Sequence, residues 1–297
     1  MSTAGSASDF QTFGNLVKVC VGMGVLALPL ATYNAGFIAT FSLGIIAVLW
    51  IVYSLKRLLS CIHSNDYIAM IDDSSSSQDP YADLISRAFP KYGKWLLNFC
   101  YVVTLYGAAV AYVITWDKLL SGFDWESMGL SFLSNSIVWA VIFFIIACPL
   151  SLIHSLSSLG IVSQIGNVVL ALSVIIVIIY GGVTYGFHYD NAMWLPRNPL
   201  SIANIFGVLC FSLGVAFIGA SSHASMAKKT HFFPVLIISL VTCICFYYIF
   251  GSLSVFFYSA DSEIHGLILE NIPSSSIYYV IASIGLALTC ILSYPIA

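Results

Sequence analysis

A succession of long, nearly uninterrupted apolar runs constrains this chain more than any other feature. Residues 168–180, for example, are apolar apart from Ser173. A transmembrane helix needs about 20 mostly apolar residues, and eight stretches meet that need: 13–33, 36–59, 93–120, 135–154, 159–187, 201–222, 233–259 and 276–297. Transmembrane β-strands would show short alternating segments of about 10 residues, which these continuous runs are not. Composition agrees: 60% of the 297 residues are hydrophobic and 8% are charged, against roughly 25% charged in an ordinary soluble domain. The expected class is an all-α, polytopic membrane protein, which excludes soluble enzymes and disordered regulators. A net charge of −3 gives no basic excess to attract nucleic acid. Seven of the eight cysteines lie inside apolar runs and read as small core residues rather than a disulfide framework.

The first 15 residues contain no Lys or Arg, so the basic start of a cleaved signal peptide is missing. The first run is therefore expected to remain as a span, behind a short disordered cytoplasmic segment, 1–12. Basic residues mark cytoplasmic loops. With the N-terminus inside, Lys56, Arg57, Arg87, Lys91, Lys94, Lys228 and Lys229 fall inside, while Lys118 and Arg197 fall outside. Within the long polar loop 60–92, the acidic, serine-rich stretch 72–80 reads as a linker. Tyr81, Leu84, Ile85 and Phe89 then recur at helical spacing, as in a short amphipathic helix on the cytoplasmic face. Its role is either a lid on the bundle or a partner-binding element.

Enzyme signatures such as G-x-x-x-x-G-K-[ST], H-E-x-x-H and G-x-S-x-G are absent from the sequence. The run Gly22-Met23-Gly24-Val25-Leu26-Ala27 matches G-x-G-x-x-A in form, but that motif serves dinucleotides only between a strand and a helix. Two glycines one residue apart, with Pro29 following, weaken a helix in hydrocarbon. Such a break exposes backbone N–H groups and a positive dipole end suited to a carboxylate; the other reading is a close helix crossing allowed by small residues. Lys18 lies one turn before Gly22 on the same face, where a charge inside a span marks a functional candidate or snorkels to the interface. The sixth run carries a matching irregularity at Phe211-Ser212-Leu213-Gly214, with Gly219 to Ser222 beyond it. Interrupted first and sixth helices are the pattern of a five-helix unit repeated with inverted topology. Tyr106 and Gly107 of the third run either line the same cavity or pack in the core.

The stretch from Leu16 to Ala31, LVKVCVGMGVLALPLA, continuing to Asn34-Ala35-Gly36, resembles the first span of the amino acid/auxin permease family. Tyr81-Ala82-Asp83-Leu84 with Ala88-Phe89 resembles that family's cytoplasmic helix. Pro149 to Leu152 and Ser155 to Gly160 resemble its fourth-to-fifth span junction, and Ser293-Tyr294-Pro295-Ile296 its eighth-span Tyr-Pro motif. The resemblance implies a LeuT-like inverted-repeat (5+5) transporter fold, with residues 13–187 as the first repeat and 201–297 as three helices of an incomplete second. It implies a secondary transporter of small neutral amino acids, proton-coupled or uncoupled, with no cofactor. By the same resemblance, the backbone at Val21, Gly22, Met23 and Gly24 would bind the substrate carboxylate. Phe211, Ser212 and Gly214 would take the amino end, and Tyr106 and Thr289 would be lesser contacts. Lys18 would supply the positive charge that sodium supplies elsewhere, with Thr289 beside it in coupling, as in the proton-coupled branch and the yeast vacuolar exporters. The membrane would be vacuolar, lysosomal-type or plasma. With two spans of the second repeat absent, this stretch alone is expected not to catalyse transport; a non-transporting sensor is the competing reading.

Overall fold

In lipid every backbone polar group must be satisfied inside its own segment, so apolar runs of this length form helices. The computed structural model describes residues 7–62, 84–86, 88–126, 129–151, 156–216, 218–259 and 264–293. Among them there is no strand, only an isolated bridge between Ala7 and Met226. Ten helices follow in order: α1 (Asp9–Cys20), α2 (Leu28–Ala35), α3 (Phe37–Ile62), α4 (Gly93–Ser121), α5 (Ser136–Ser151), α6 (Leu156–Thr184), α7 (Pro199–Ser212), α8 (Gly219–Ser225), α9 (Phe232–Tyr258) and α10 (Ile277–Ser293). The linker 72–80, the motif residues Tyr81, Ala82, Asp83, Leu152 and Ser155, the basic Arg87, and Tyr294 to Ile296 lie outside the described residues.

One boundary differs notably from the sequence expectation. The first helix starts at Asp9, not Phe13, because Ser8 and Gln11 form a capping box: Gln11 N donates to Ser8 Oγ (3.2 Å) and Ser8 N to Gln11 Oε1 (2.9 Å). This pairing satisfies two of the amides that a helix start leaves open and orders residues expected to be disordered. The interruptions expected in the first and sixth runs are present, and each run is two helices. Between α2 and α3 the chain turns at Gly36, whose φ of 77° suits glycine. A Cβ there would lie 2.7 Å from the Leu195 carbonyl carbon.

Among the described residues, three helices are long and apolar enough to cross a membrane: Phe37–Ile62, Gly93–Ser121 and Lys229–Tyr258. The pair Asp9–Cys20 and Gly24–Ala35, bent by 48°, passes that test jointly, and four shorter apolar helices accompany them. Association in lipid rests on close packing rather than on exclusion of water, and α9 is the hub of that packing. It lies against α1, α2, α3 and α6, while α7 sits on α2 and α3. A second group joins α6 to α10, α10 to α4, and α4 to α5. Small residues set the separations: a Cβ on Gly285 would lie 2.6 Å from Val169, and one on Gly44 would lie 3.1 Å from Ile244.

Candidate functional site

The break in the first run begins where α1 stops. Val21 N still donates to Val17 O (2.8 Å), but Gly22 is extended at φ −115° and ψ −164°. A 3₁₀ turn, Met23–Ala27, follows before α2 restarts with Pro29 in its first turn, where the missing N–H costs nothing. The first hydrogen bond of the turn runs from Val25 N to Gly22 O (3.2 Å). The amides of Met23 and Gly24 thus stand ahead of it, and the opening amides of a helical turn have no partner within it.

The sixth run breaks in the same manner. Leu213 N closes α7 onto Leu209 O (2.9 Å), a 3₁₀ turn covers Gly214–Ala216, and α8 restarts at Gly219. The first 3₁₀ turn packs on α7, and α1 packs on the second. At the meeting point a Cβ on Gly24 would lie 2.6 Å from Ser212 Oγ and 3.3 Å from Phe211 Cδ1. Ser212 is buried, and its Oγ has no hydrogen-bond partner among the described residues. Around Gly22 and Gly214, by contrast, a Cβ would meet nothing within 4 Å.

One residue that the sequence reading missed joins the two breaks. Tyr247 of α9 is 2% exposed, and its hydroxyl donates to Cys20 O (2.5 Å) and Ser212 O (3.2 Å). These carbonyls are the last of α1 and of α7, at the ends where a helix leaves acceptors without intrahelical partners; Cys20 O also accepts from Gly22 N (2.9 Å). A single O–H shared between them ties both breaks to the hub helix.

Other expected site residues are placed differently. Lys18 is half-buried on α1 and has no ion-pair partner among the described residues. It stands in the last turn of α1, where a cation also complements the helix dipole. Tyr106 is 71% exposed on the apolar surface of α4, so it lines no enclosed cavity. Thr289 is buried, and its hydroxyl is engaged by Gly285 O (3.0 Å) and Gly166 O (3.3 Å), which ties α10 to α6. Phe211 is exposed, Val21 partly buried. Among the described residues no group of His, Cys, Asp and Glu could hold a metal.

The region is bounded at both ends. The turn Ile268–Asn271 packs on Met23–Ala27, with Ile268 and Leu269 fully buried. It is held by the ion pair of Lys118 Nζ and Glu270 Oε1 (2.9 Å) and by Tyr185 OH donating to Asn271 O (3.2 Å). At the opposite end, Ala7 N donates to Ser225 O and Ala227 N to Ala7 O, each at 3.0 Å. Asp9 Oδ2 lies 2.7 Å from His231 Nδ1 there.

The family described as transmembrane amino acid transporter protein matches residues 5–297. The amino acid transporter ANT1 of Arabidopsis thaliana is 29% identical over 97% of this chain and 65% of its own length. Vacuolar amino acid transporter 4 of Saccharomyces cerevisiae is 27% identical over 99% of this chain and 40% of its own. A Bos taurus protein provisionally named sodium-coupled neutral amino acid transporter 11 is 24% identical over 95% of this chain and 59% of its own. The chain therefore spans between 40% and 65% of the length of these relatives.

Proposed function

Because this chain belongs to the family of transmembrane amino acid transporters, which are not enzymes, we propose that its two helix breaks form the binding site of a secondary amino acid transporter. The observation that carries this reading is the direct apposition of Gly24 with Ser212 and Phe211. It brings opening amides, terminal carbonyls and an unpaired buried hydroxyl into one place. Amides at the positive end of a helix segment suit a carboxylate, and carbonyls at the end of another suit an ammonium. A zwitterionic amino acid presents both. The open space at Gly22 and Gly214 favours a small neutral side chain.

The reading extends to architecture and coupling. The eight runs are eight spans of a LeuT-like inverted repeat, with α1–α2 as the first and α7–α8 as the sixth. The end of α3 with Lys56, the start of α4 with Lys94 and the loop with Lys228 face the cytoplasm, together with the N-terminus. A glycosylation acceptor engineered beside Asp124 should accordingly be modified, and one within residues 74–77 should not. Lys18 supplies a fixed positive charge, so flux is independent of sodium and is driven by protons or by the amino acid's own gradient. The yeast relative is named as a vacuolar transporter, which supports an endomembrane location. The test is alanine uptake into vesicles containing the protein, with sodium or choline outside. Equal uptake in both is expected, while steep sodium dependence would favour the coupling named for the bovine relative and overturn the role given to Lys18.

A further inference from the structure

A second cleft opens away from the breaks, between the end of α2 and the start of α7. It is an open groove of about 550 Å³, lined by Asn34, Arg197, Asn198, Ser201 and Asn204 with two apolar neighbours. No carboxylate lines it. We propose that this cleft is a binding site for a small carboxylate, with the Arg197 guanidinium as its anchor.

The cleft is built to hold that guanidinium in place. Arg197 N donates to Asn34 O (2.9 Å), and Ser201 Oγ donates to Asn34 O (2.8 Å) and to Asn198 O. These bonds fasten the loop before α7 to the last turn of α2. Arg197 Cζ then lies 3.6 Å from the centroid of the Tyr33 ring, so the guanidinium rests on the ring face. A guanidinium stacked on an aromatic ring keeps its N–H donors in its own plane and free to fork onto a carboxylate. Among the described residues no acidic group pairs with it. The Asn198 side-chain oxygen accepts from Leu200 N (3.0 Å), leaving its NH₂ to donate beside the guanidinium. Asn34 and Asn204 add further amide groups. The lining therefore holds a fixed cation and several neutral donors, with no carboxylate to pair with an ammonium.

This cleft is distinct from the site at the breaks. Asn34 stands about 15 Å beyond Gly24 at 1.5 Å per residue, and the cleft remains open while the turn Ile268–Asn271 covers Met23–Ala27. It would capture an amino acid by its carboxylate alone, before the deeper site engages both ends. That last role rests on the transporter reading; the carboxylate chemistry does not.

The test uses the full chain in a phospholipid-free maltoside detergent, with saturation-transfer NMR on propionate, alanine and alaninamide. Propionate, a carboxylate without an ammonium, should give a saturable signal that weakens at least tenfold in Arg197→Gln. Arg197→Lys should recover part of it, and alaninamide should give no Arg197-dependent signal. The side chain is exposed, and equal melting temperatures would confirm that the variants fold. Equal propionate binding in wild type and Arg197→Gln overturns the proposal whatever alanine does. Loss of alanine binding at the breaks, with Arg197-dependent propionate binding intact, leaves the cleft standing and removes only the transporter reading. An Arg197-dependent signal from phosphocholine and none from propionate would assign the guanidinium to lipid headgroups and also overturn it.

Discussion

The two helix breaks have the same plan and distribute their glycines differently. Each contains one glycine with open space around it, Gly22 in the first and Gly214 in the second, and one glycine pressed against a neighbour. In the first break the pressed glycine is Gly24, and its neighbour is the other break, at Ser212 and Phe211. In the second it is Gly219, and a Cβ there would lie 2.5 Å from Leu55 of α3. The seam between the breaks therefore takes its close-approach glycine from the first break, while the glycine of the second anchors to a long helix outside the seam. Glycine serves two physical purposes within a few residues: closeness at Gly24 and Gly219, and release of the backbone at Gly22 and Gly214.

The sharpest way to break this distinction is Gly24→Val. A branched side chain would meet the Ser212 hydroxyl and the Phe211 ring at once, and overpacking of this kind costs about 1–3 kcal/mol. The expected result is a lower melting temperature together with loss of alanine binding. Adding Ser212→Ala, which removes the nearest atom, should restore part of the stability. If Gly24→Val melts like the wild type, the two breaks do not meet where the structure puts them.

A smaller loss is expected from Tyr247→Phe. The ring stays and the packing with it, but Cys20 O and Ser212 O lose a shared donor. Leaving a buried acceptor without its partner costs about 1–3 kcal/mol, and the lower part of that range applies because Cys20 O still accepts from Gly22 N (2.9 Å). Hydrogen exchange should quicken at residues 20–25 and 212–216 together. Acceleration confined to one break would show that Tyr247 serves only that one.

The two breaks were legible in the sequence as small residues inside apolar runs, Gly22 and Gly24 ahead of Pro29 and Ser212 with Gly214, a pattern that equally suits a close helix crossing. Tyr247 was not, because its partners are backbone carbonyls, which carry no sequence signature. Nothing in the run 233–259 separates Tyr247, 2% exposed, from its neighbour Tyr248, which is only partly buried. Tyr106 was misplaced for a related reason. The third run is apolar on all sides, so its periodicity does not say which face meets protein and which meets lipid. Thr289 was read as a site residue, yet its hydroxyl is engaged at Gly166, where a small residue allows α6 and α10 to approach. The capping box that starts α1 was readable at Ser8 and Gln11; counting apolar residues alone passed over it.

The smallest effect on stability, and the finest test of the comparison, is expected from alanine at the two open glycines. Neither Gly22 nor Gly214 has an atom within 4 Å of a built Cβ, and neither has positive φ. Alanine therefore fits both without strain, and the narrower unfolded ensemble favours the fold by about 0.4–1 kcal/mol. Melting temperatures should hold or rise slightly. Binding should separate from stability, because the added methyl stands in the space that a ligand needs to reach the amides of Met23 and Gly24. Alanine's stronger helix propensity, about 1 kcal/mol over glycine, also pulls the extended residue at position 22 back toward α1. Gly22→Ala is thus expected to weaken alanine binding several-fold, and Gly214→Ala to weaken it less, since the carbonyl ends of α7 precede position 214. Full binding in Gly22→Ala at an unchanged melting temperature would show that the open space at the first break is not where the ligand sits.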